Sequence, residues 1–320
     1  MSLYLDILKL LADGKFHSGT TLGQQLSVSR TAIWKAIQRC ESLGLELNSV
    51  RGRGYRLAAP LELLDQERIN KTLAASTEKA NFDVVIHDEL ESTNRWLLDQ
   101  QNTHARVCLA ERQTAGRGRR GRHWVSPFAA NIYMSMGWRF DCGPAALGGL
   151  SLAIGVAVVR TLSSLGVTGV GLKWPNDIFA NGAKLGGILL ELRGETEGPT
   201  EAIIGIGINV NMQASDTSEI DQQWTDIRSL SHKVSRNQLI ASLILELEKV
   251  LGVFAEQGFE AVHEEWQAMD VFRGREVVLD THREQIRGIV RGVDNTGALL
   301  LESANGLSRF NAGEVSLRGG

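Results

Sequence analysis

Cysteine is scarce in this sequence and long hydrophobic runs are missing, which excludes several classes of protein. The 320 residues contain three cysteines, Cys40, Cys108 and Cys142, and their spacing does not match a metal site. A small, odd set argues against a disulfide framework and favours a reducing compartment, so we expect a cytoplasmic protein. The apolar runs are too short to cross a membrane, and the opening segment 1–15 predicts an amphipathic helix rather than a signal peptide.

A strong net charge is also lacking, although the charge is unevenly spread. Charged residues make up 22% of the chain and the net charge is -3, which argues against disorder and against wholesale binding to nucleic acid. Residues 1–60 nevertheless hold eight Lys or Arg against four acidic residues, so this segment carries +4 and the remainder carries -7. A basic head on an acidic body predicts a local anionic partner for the head.

The head, residues 1–62, has the pattern of a winged helix-turn-helix. Apolar spacing predicts helices at 3–11, 19–26 and 29–43, followed by a hairpin with the tip Arg51-Gly52-Arg53-Gly54. The third helix would enter the major groove, where polar side chains read base edges, and the hairpin would rest on the DNA backbone. The candidate DNA-binding residues are Ser29, Arg30, Thr31, Lys35, Gln38, Arg51 and Arg53.

The head also fits a second interpretation, a helical bundle with an ordinary solvated basic face. The basic wing favours DNA binding over that alternative. Trp34 falls on the outward face of the third helix but can equally be partly buried against the wing, so we assign it no base contact.

The rest of the chain predicts an α+β multidomain protein with two further units. Residues 66–270 mix strands and helices, as in a central α/β domain with a mixed or antiparallel sheet, and the polar segment 211–228 is typical of a loop that closes over a ligand. Residues 271–320 contain short strands separated by glycines, which predicts a small β-barrel. We expect the strands of the central unit at 83–87, 107–111, 131–138, 171–173, 185–192 and 202–210, and its helices at 92–100, 145–165, 238–257 and 260–269.

The strongest local signal is the Arg/Gly loop, residues 116–122 with the sequence GRGRRGR, which leads into His123 and Trp124. Its glycines let the backbone approach a ligand and form an anion nest, and its arginines supply forked donors for phosphate or carboxylate. An isolated run of this kind is nearly as typical of a flexible loop that binds RNA or DNA. Because the run follows a strand and leads into Trp124, we favour a ligand-binding loop.

Three glycine-bearing or charged segments follow, at 173–177 (KWPND), 184–191 (KLGGILLE) and 205–211 (GIGINVN). Glycine costs stability inside a strand, so its presence at 186, 187, 205 and 207 needs a physical reason. Close approach of a flat ligand to the sheet is one reason, and a β-bulge or tight packing of a helix is the alternative.

Together these motifs resemble the biotin protein ligases, specifically the bifunctional kind that doubles as the biotin operon repressor. The likeness runs over nearly the whole chain and includes the winged head, Glu91–Asn94, the Arg/Gly loop, the three segments above and AGEVSLR at 312–318. The Arg/Gly loop followed by KWPND and Lys184, in this order, is highly specific. The resemblance implies a winged helix-turn-helix, a ligase domain and a C-terminal SH3-like barrel, with boundaries at 1–62, 66–270 and 271–320.

The resemblance also implies the reaction and its ligands. The family makes biotinyl-5'-AMP from biotin and ATP with Mg²⁺, which has no dedicated protein ligands, and transfers biotin to a lysine of the biotin carboxyl carrier protein of acetyl-CoA carboxylase. The ureido head of biotin is assigned to Ser92, Thr93 and Gln113, with the backbone around Arg117. Gly187, Gly205 and Gly207 would lie beneath the rings and Trp124 over the valeryl tail. The other implied binding residues are Asn94, Gly116, Gly118, Arg119, Arg122, Lys184, Asn209 and Trp224.

Three residues are expected to act in the chemistry. Lys184 would bridge the biotin carboxylate and the α-phosphate, and Arg119 would hold phosphate, since two anions must be brought together. Asp177 would accept a proton from the incoming lysine or orient its amine. Each assignment has a plainer counterpart: a helix cap for Ser92 or Thr93, core packing for Trp124 and a structural turn acid for Asp177.

The two activities would be coupled through the intermediate. We expect biotinyl-5'-AMP to act as corepressor, to order the ligand loops and to complete a homodimer whose two heads match a two-fold operator DNA. Competing interpretations are a biotin-sensing transcription factor with an inactive body, a lipoate ligase and a generic RNA-binding protein. Intact Arg119 and Lys184 argue against the first, and the Arg/Gly loop with the winged head argues against the second.

Overall fold

The described part of the chain builds three separate sheets of two, seven and five strands. The computed structural model describes residues 2–75, 81–213, 220–230, 233–281 and 284–312, and the backbone of 315–319. None of the helices within these ranges is long and apolar enough to cross a bilayer.

The head folds as the helix-turn-helix with a hairpin that the sequence predicts. Its elements are α1 (Leu3–Leu11), α2 (Gly19–Gln25), α3 (Arg30–Ser42), β1 (Leu47–Val50) and β2 (Gly54–Leu57), the two strands being antiparallel. Ser18 and Ser29 begin α2 and α3 because each side chain accepts a hydrogen bond from a backbone N–H in the first turn. Leu8 of α1, Leu22 of α2 and Ile33 of α3 meet in one buried core.

The central sheet confirms the mixed topology. Its order is β3-β4-β5-β9-β8-β7-β6, in which β3 and β4 are parallel and the remaining neighbours are antiparallel. The strands are β3 (Asp83–His87), β4 (Arg106–Ala110), β5 (Ile132–Phe140), β6 (Val170–Lys173), β7 (Asp177–Ala180), β8 (Ala183–Gly194) and β9 (Thr200–Ile208). The long hairpin of β8 and β9 forms the middle of this sheet and carries the glycine segments.

Helices pack against this sheet and bury a large apolar core between the two layers. They are α4 (Gln66–Ala74), α6 (Leu150–Ser164), α7 (Arg236–Gln257) and α8 (Glu260–Met269), whereas α5 (Thr93–Leu98) packs Leu97 against Cys108 and Ile203 on the opposite face of the sheet. Ile154 of α6 and Leu243 of α7 are fully buried in this core, and each such side chain contributes roughly 1.5–3 kcal/mol through burial. Arg160 of α6 joins the helices by ion pairs to Glu246 of α7, at 3.1 Å, and to Glu265 of α8, at 2.5 Å.

Three details of the sequence prediction were wrong. The helix expected at 145–165 is a short 3-10 turn, Pro144–Leu147, followed by α6, because Gly149 adopts a left-handed conformation with φ of 78°. Helix α4 was missed, since Ile69 is its one buried residue and most of its other residues are polar. Strand β7 was missed because it is four residues long and follows directly on the KWPND turn.

The C-terminal unit is an antiparallel sheet with the order β13-β12-β11-β10-β14. The strands are β10 (Glu276–Thr281), β11 (Gln285–Val293), β12 (Leu299–Ser303), β13 (Gly306–Phe310) and β14 (Val315–Gly319). In the described residues no pairing joins β13 to β14, so hydrogen bonding leaves the sheet open and the SH3-like barrel stays a prediction.

Both flanking units contact the central one. At the head, Glu89 pairs with Arg39 of α3 at 3.3 Å and with Arg112 at 2.9 Å, and Phe128 packs into the core of the head. At the other end, the buried indole N–H of Trp174 donates to the carbonyl of Gly297 at 3.1 Å. The KWPND segment is therefore held from the side of the C-terminal sheet.

A buried carboxyl lies where α8 meets the C-terminal unit. One oxygen of Asp270 accepts a hydrogen bond from the N–H of Phe272 at 2.9 Å, whereas the other oxygen is buried and has no partner among the described residues. Burial raises the pKa of this carboxyl from 3.8 to about 6. Because the folded pKa lies above the unfolded value, the group supports folding at acid pH, and that contribution is lost as the pH rises through about 6.

We therefore expect Asp270→Asn to raise the free energy of unfolding at neutral pH, on the order of 2–3 kcal/mol. The gain should shrink as the pH falls from about 6 and disappear below about pH 3, where the wild-type carboxyl is protonated in both the folded and the unfolded state. Urea unfolding of both proteins at neutral and acid pH measures this difference, and an equal difference at the two pH values would contradict it.

Candidate active site

A cavity of about 690 Å³ opens between the Arg/Gly loop and the hairpin of β8 and β9. The predicted catalytic residues Lys184, Arg119 and Asp177 all line it. So do the predicted binding residues Ser92, Thr93, Asn94, Gln113, Arg117, Gly118, Arg122, Trp124, Gly187, Gly205, Gly207, Asn209 and Trp224. The structure thus brings these side chains to one place, while the role of each stays a prediction.

Gly116 is the predicted binding residue that is missing from the described cavity lining. Its carbonyl accepts a hydrogen bond from the N–H of Trp124 at 2.9 Å, and an added Cβ would lie 2.6 Å from the carbonyl oxygen of Trp124. Glycine is therefore needed here to close the base of the Arg/Gly loop.

One end of the cavity is a buried polar cluster at the start of α5. Ser92 caps this helix by accepting from the N–H of Arg95, as its alternative interpretation supposed. The N–H of Thr93 donates to Oε1 of Gln113 at 2.9 Å, and the hydroxyl of Thr93 lies 3.2 Å from the same oxygen. This end presents uncharged hydrogen-bonding groups, as recognition of a neutral, polar head group requires.

Gly187, Gly205 and Gly207 of β8 and β9 form the glycine floor of the cavity, and two of them make room for side chains that line it. A Cβ at Gly205 would lie 2.3 Å from Oδ1 of Asn94, and a Cβ at Gly207 would lie 2.6 Å from the Trp124 ring. At Gly187 the nearest contacts would be 3.4 and 3.5 Å, which are ordinary. Close packing of Asn94 from α5 therefore explains Gly205, and the indole of Trp124 explains Gly207.

The other end of the cavity is positively charged. Nζ of Lys184 lies 2.7 Å from Oδ1 of Asp177, and both side chains are largely buried. Nζ also lies 5.6 Å from the centre of the Trp124 ring, a cation–π contact. Among the described lining residues six are basic (Arg117, Arg119, Arg120, Arg122, Lys173 and Lys184) and two are acidic (Asp177 and Asp221). An excess of cations among the lining residues suits an anionic ligand.

Arg119 is anchored from two sides. Its guanidinium donates to Oδ1 of Asn176 at 3.2 Å and to the carbonyl of Ala312, which lies just after β13. Burial lowers the pKa of Arg119, and the charge of Asp177 opposes that shift. The C-terminal unit thus helps to orient a predicted phosphate-binding residue.

The ligand-loop prediction at 211–228 is only partly covered, since residues 214–219 lie outside the described part of the chain. Residues 220–224 line the cavity, and the loop runs beside β8, where the N–H of Lys184 donates to the carbonyl of Gln223 at 3.0 Å. The side chain of Asn209 donates to the carbonyl of Thr225 at 3.0 Å. Asn209 therefore holds the end of this loop against the sheet.

Sequence reasoning missed three polar residues that hold the lining residues in place. Ser135 is fully buried and lies within hydrogen-bond distance of Thr93 and Asn94. Glu191 accepts from Asn94 at 2.8 Å and from Arg117 at 3.4 Å. Asn176 and Glu191 belong to motifs that were singled out, so their polar side chains were available as signals. Ser135 lies in an apolar strand, and its isolated polarity there was the signal.

The predicted DNA-binding residues are all exposed on the head. Ser29, Arg30, Thr31, Lys35 and Gln38 are exposed along α3, and Arg51 and Arg53 are exposed on the hairpin. Trp34 is 53% exposed, so it is not buried against the wing. The guanidinium of Arg53 stacks 4.3 Å from the centre of the Phe16 ring, which fixes one basic side chain of the wing.

Three family models match consecutive parts of this chain. The HTH domain matches residues 4–56, the biotin/lipoate A/B protein ligase family matches 87–209, and the biotin protein ligase C terminal domain matches 272–318.

Curated relatives match nearly the whole length. The bifunctional ligase/repressor BirA of Salmonella typhimurium is 42% identical over 316 residues, which cover 98% of this chain and 97% of the relative. The chain belongs to the bifunctional ligase/repressor family. The protein of the same name from Bacillus subtilis is 32% identical and covers 99% of both chains. A biotin protein ligase from Aquifex aeolicus, solved in complex with biotin and ATP, is 28% identical, has a TM-score of 0.66 and covers 74% of this chain and 99% of that one.

The glycine floor gives a direct test of the site geometry. We expect Gly207→Ala to push the Trp124 ring from its place and to change the tryptophan fluorescence spectrum, because the new methyl group has no room. Gly187→Ala is the matched control, since its methyl group meets only ordinary contacts. The difference between the two variants should vanish in a Trp124→Phe background, and identical spectra for both would contradict this geometry.

Proposed function

We propose that this chain activates biotin with MgATP to biotinyl-5'-AMP and transfers the biotinyl group to a lysine of a biotin carboxyl carrier protein. The observation that carries the proposal is one cavity with an uncharged polar end, at Thr93 and Gln113, and a cationic end, at Arg119 and Lys184. Biotin has the matching shape, a neutral ureido head at one end and a carboxylate at the other. The full-length relatives are named for both ligase and repressor activity.

In the first step a carboxylate oxygen of biotin attacks the α-phosphorus of ATP, and the bond to pyrophosphate breaks. Two unit charges about 4 Å apart repel by roughly 4 kcal/mol at an intermediate dielectric, so the wall must supply cations. Lys184 would contact both anions, and Arg119, which donates to Asn176 at 3.2 Å, would bind phosphate. Catalysis here consists of positioning and electrostatic stabilisation, with no covalent enzyme intermediate.

In the second step the amine of the acceptor lysine attacks the acyl carbon and AMP leaves. The amine must lose a proton, and Asp177 would accept that proton or orient the amine. Asp177 is paired with Lys184 at 2.7 Å, so movement of Lys184 onto the substrate anions would free Asp177 for this role. Residues 220–224, which include Trp224, would cover the adenylate and limit its loss to water.

The remaining assignments extend the same proposal. The units 1–62, 66–270 and 271–320 act as domains, and the C-terminal sheet is curled into an SH3-like barrel around buried Val277, Leu279 and Leu299. The protein is cytoplasmic, and its head binds operator DNA through α3 and the wing. Biotinyl-5'-AMP serves as corepressor by favouring a homodimer, which requires that it bind the dimer-competent form more tightly.

We expect Lys184→Ala to lower biotin-dependent exchange of pyrophosphate into ATP by about 100-fold or more, because the bridge between the two anions is lost. Transfer of biotin to a purified carrier domain should fall in parallel. Lys249→Ala, on the exposed side of α7, is the control and should keep wild-type rates.

Three outcomes separate the competing interpretations. Undiminished exchange in Lys184→Ala would overturn the catalytic assignment of that residue. A wild-type chain that binds biotin without exchange would be a sensor with an inactive body. Adenylation of lipoic acid in preference to biotin would identify a lipoate ligase.

The wing gives a separate prediction for DNA binding. We expect Arg51→Ala to weaken binding to a random-sequence duplex and to reduce the slope of log affinity against log salt by about one, because one phosphate contact is lost. Arg139→Ala, which removes an exposed arginine from the central sheet, should leave both quantities unchanged. An unchanged slope in Arg51→Ala would place the DNA surface elsewhere.

A further inference from the structure

A continuous line of short polar contacts runs behind the uncharged end of the cavity. Oγ of Ser135 lies 2.6 Å from Oγ1 of Thr93 and 2.5 Å from Oδ1 of Asn94. The amide nitrogen of Asn94 lies 2.8 Å from Oε2 of Glu191. Counted from the other end, Oγ1 of Thr93 lies 3.2 Å from Oε1 of Gln113.

The orientation of the Asn94 amide is fixed by its neighbours. Its nitrogen faces two groups that can only accept, the carboxylate of Glu191 and the carbonyl of Leu189, at 2.8 and 3.2 Å. The amide oxygen must therefore face Ser135. An amide oxygen cannot donate, so the single hydroxyl proton of Ser135 goes to Asn94.

This assignment determines the proton of the next hydroxyl. The 2.6 Å contact between Ser135 and Thr93 needs a proton, and since that of Ser135 is used, the hydroxyl of Thr93 must supply it. No proton then remains for the longer contact between Thr93 and Gln113. Oγ1 of Thr93 and Oε1 of Gln113 are left as two acceptors, 3.2 Å apart, on residues that line the cavity.

The far side of Gln113 is fixed in the same sense. Nε2 of Gln113 lies 3.4 Å from Oγ of Ser126, whose hydroxyl donates to the carbonyl of Trp124 at 3.0 Å. Oγ of Ser126 is therefore an acceptor for Nε2, and Oε1 of Gln113 is turned toward Thr93. The contacts at Asn94 and those at Ser126 therefore lead to the same result: the cavity wall presents acceptors, Oγ1 of Thr93 and Oε1 of Gln113, at this point.

We propose that Ser135 and Glu191 are positioning residues that set the direction of this hydrogen-bond chain, so that Thr93 and Gln113 accept from the N–H groups of a urea. Neither residue is among the described residues that line the cavity, so they act through Asn94 and Thr93. The inference rests on the proposed function, because it names what selects biotin at that site. A five-membered disulfide ring, as in lipoate, has no N–H to offer this wall. It would leave Oγ1 of Thr93 without a donor and Oε1 of Gln113 with only the backbone N–H of Thr93.

The backbone geometry accommodates this chain of hydrogen bonds. Ser135 of β5 pairs directly with Gly205 of β9, and a Cβ at Gly205 would lie 2.3 Å from Oδ1 of Asn94. Asn94 is 3% exposed and Ser135 is fully buried, so water does not compete for these groups. Glu191 also accepts from Arg117 at 3.4 Å, which ties the direction of the chain to the Arg/Gly loop.

The decisive variant is Glu191→Gln, which keeps the size of the side chain but can donate to Asn94. The Asn94 amide can then turn over by giving up its longer contact with the carbonyl of Leu189, at 3.2 Å, which would reverse the hydrogen-bond chain and make Thr93 donate to Gln113. We expect the Kd for biotin, measured by titration calorimetry on the full chain, to rise about 10-fold. Desthiobiotin, which keeps the urea, should lose the same factor. Glu256→Gln, on the exposed side of α7, is the matched control and should bind as the wild type does.

A second variant, Ser135→Ala, disrupts the same hydrogen-bond chain but leaves the ion pair between Arg117 and Glu191 in place. It should weaken biotin binding by a similar factor, and the double variant should be no weaker than the weaker single one, because both act through Asn94. For both variants we expect kcat at saturating biotin and the melting temperature without ligand to stay near wild type. That separates positioning of the urea acceptors from a structural role.

Three results would overturn the inference. The first is an unchanged Kd for biotin in Glu191→Gln, and the second is a loss of affinity in the double variant equal to the product of the two single losses. The third is a loss of affinity that comes with a comparable fold-loss in kcat and a lower melting temperature. These differ from a failure of the proposed function, in which the wild-type chain itself would neither bind biotin nor transfer it.

Discussion

The ion pair of Lys184 and Asp177 is the interaction on which the site depends. It holds a cation at the end of a cavity whose far end is uncharged, where the proposed function needs a positive charge for a substrate carboxylate and phosphate. A buried pair of this kind is costly to break unless a new partner replaces the old one. In the proposed reaction, two substrate anions would become that partner for Lys184, and the same exchange would release Asp177 for proton transfer.

The fold serves this constraint by bringing distant parts of the chain to one place. The pair spans neighbouring strands, Asp177 at the start of β7 and Lys184 near the start of β8. Arg119 comes from the Arg/Gly loop and is anchored by Asn176 and by Ala312 of the C-terminal segment. The head is joined to the same region, since Arg112, next to Gln113, shares Glu89 with Arg39 of α3.

Sequence reasoning reached the elements whose pattern is local. The helices of the head, the mixed sheet and the gathering of the motif residues followed from periodicity and from a family resemblance. It missed α4 and β7, whose apolar patterns are weak or short, and it missed Ser135 and Glu191. The functions of those two residues depend on register, which sets Ser135 opposite Gly205 and brings Glu191 to Asn94. No local spacing encodes such a pairing.

A crystal structure of the chain bound to a non-hydrolysable analogue of biotinyl-5'-AMP tests the central claim most directly. We expect Nζ of Lys184 to have left Asp177 and to lie within hydrogen-bond distance of the ligand's phosphate, with Arg119 beside it and the ureido head at Thr93 and Gln113. A ligand bound in this cavity while Lys184 stays on Asp177, or a ligand bound elsewhere, would contradict it.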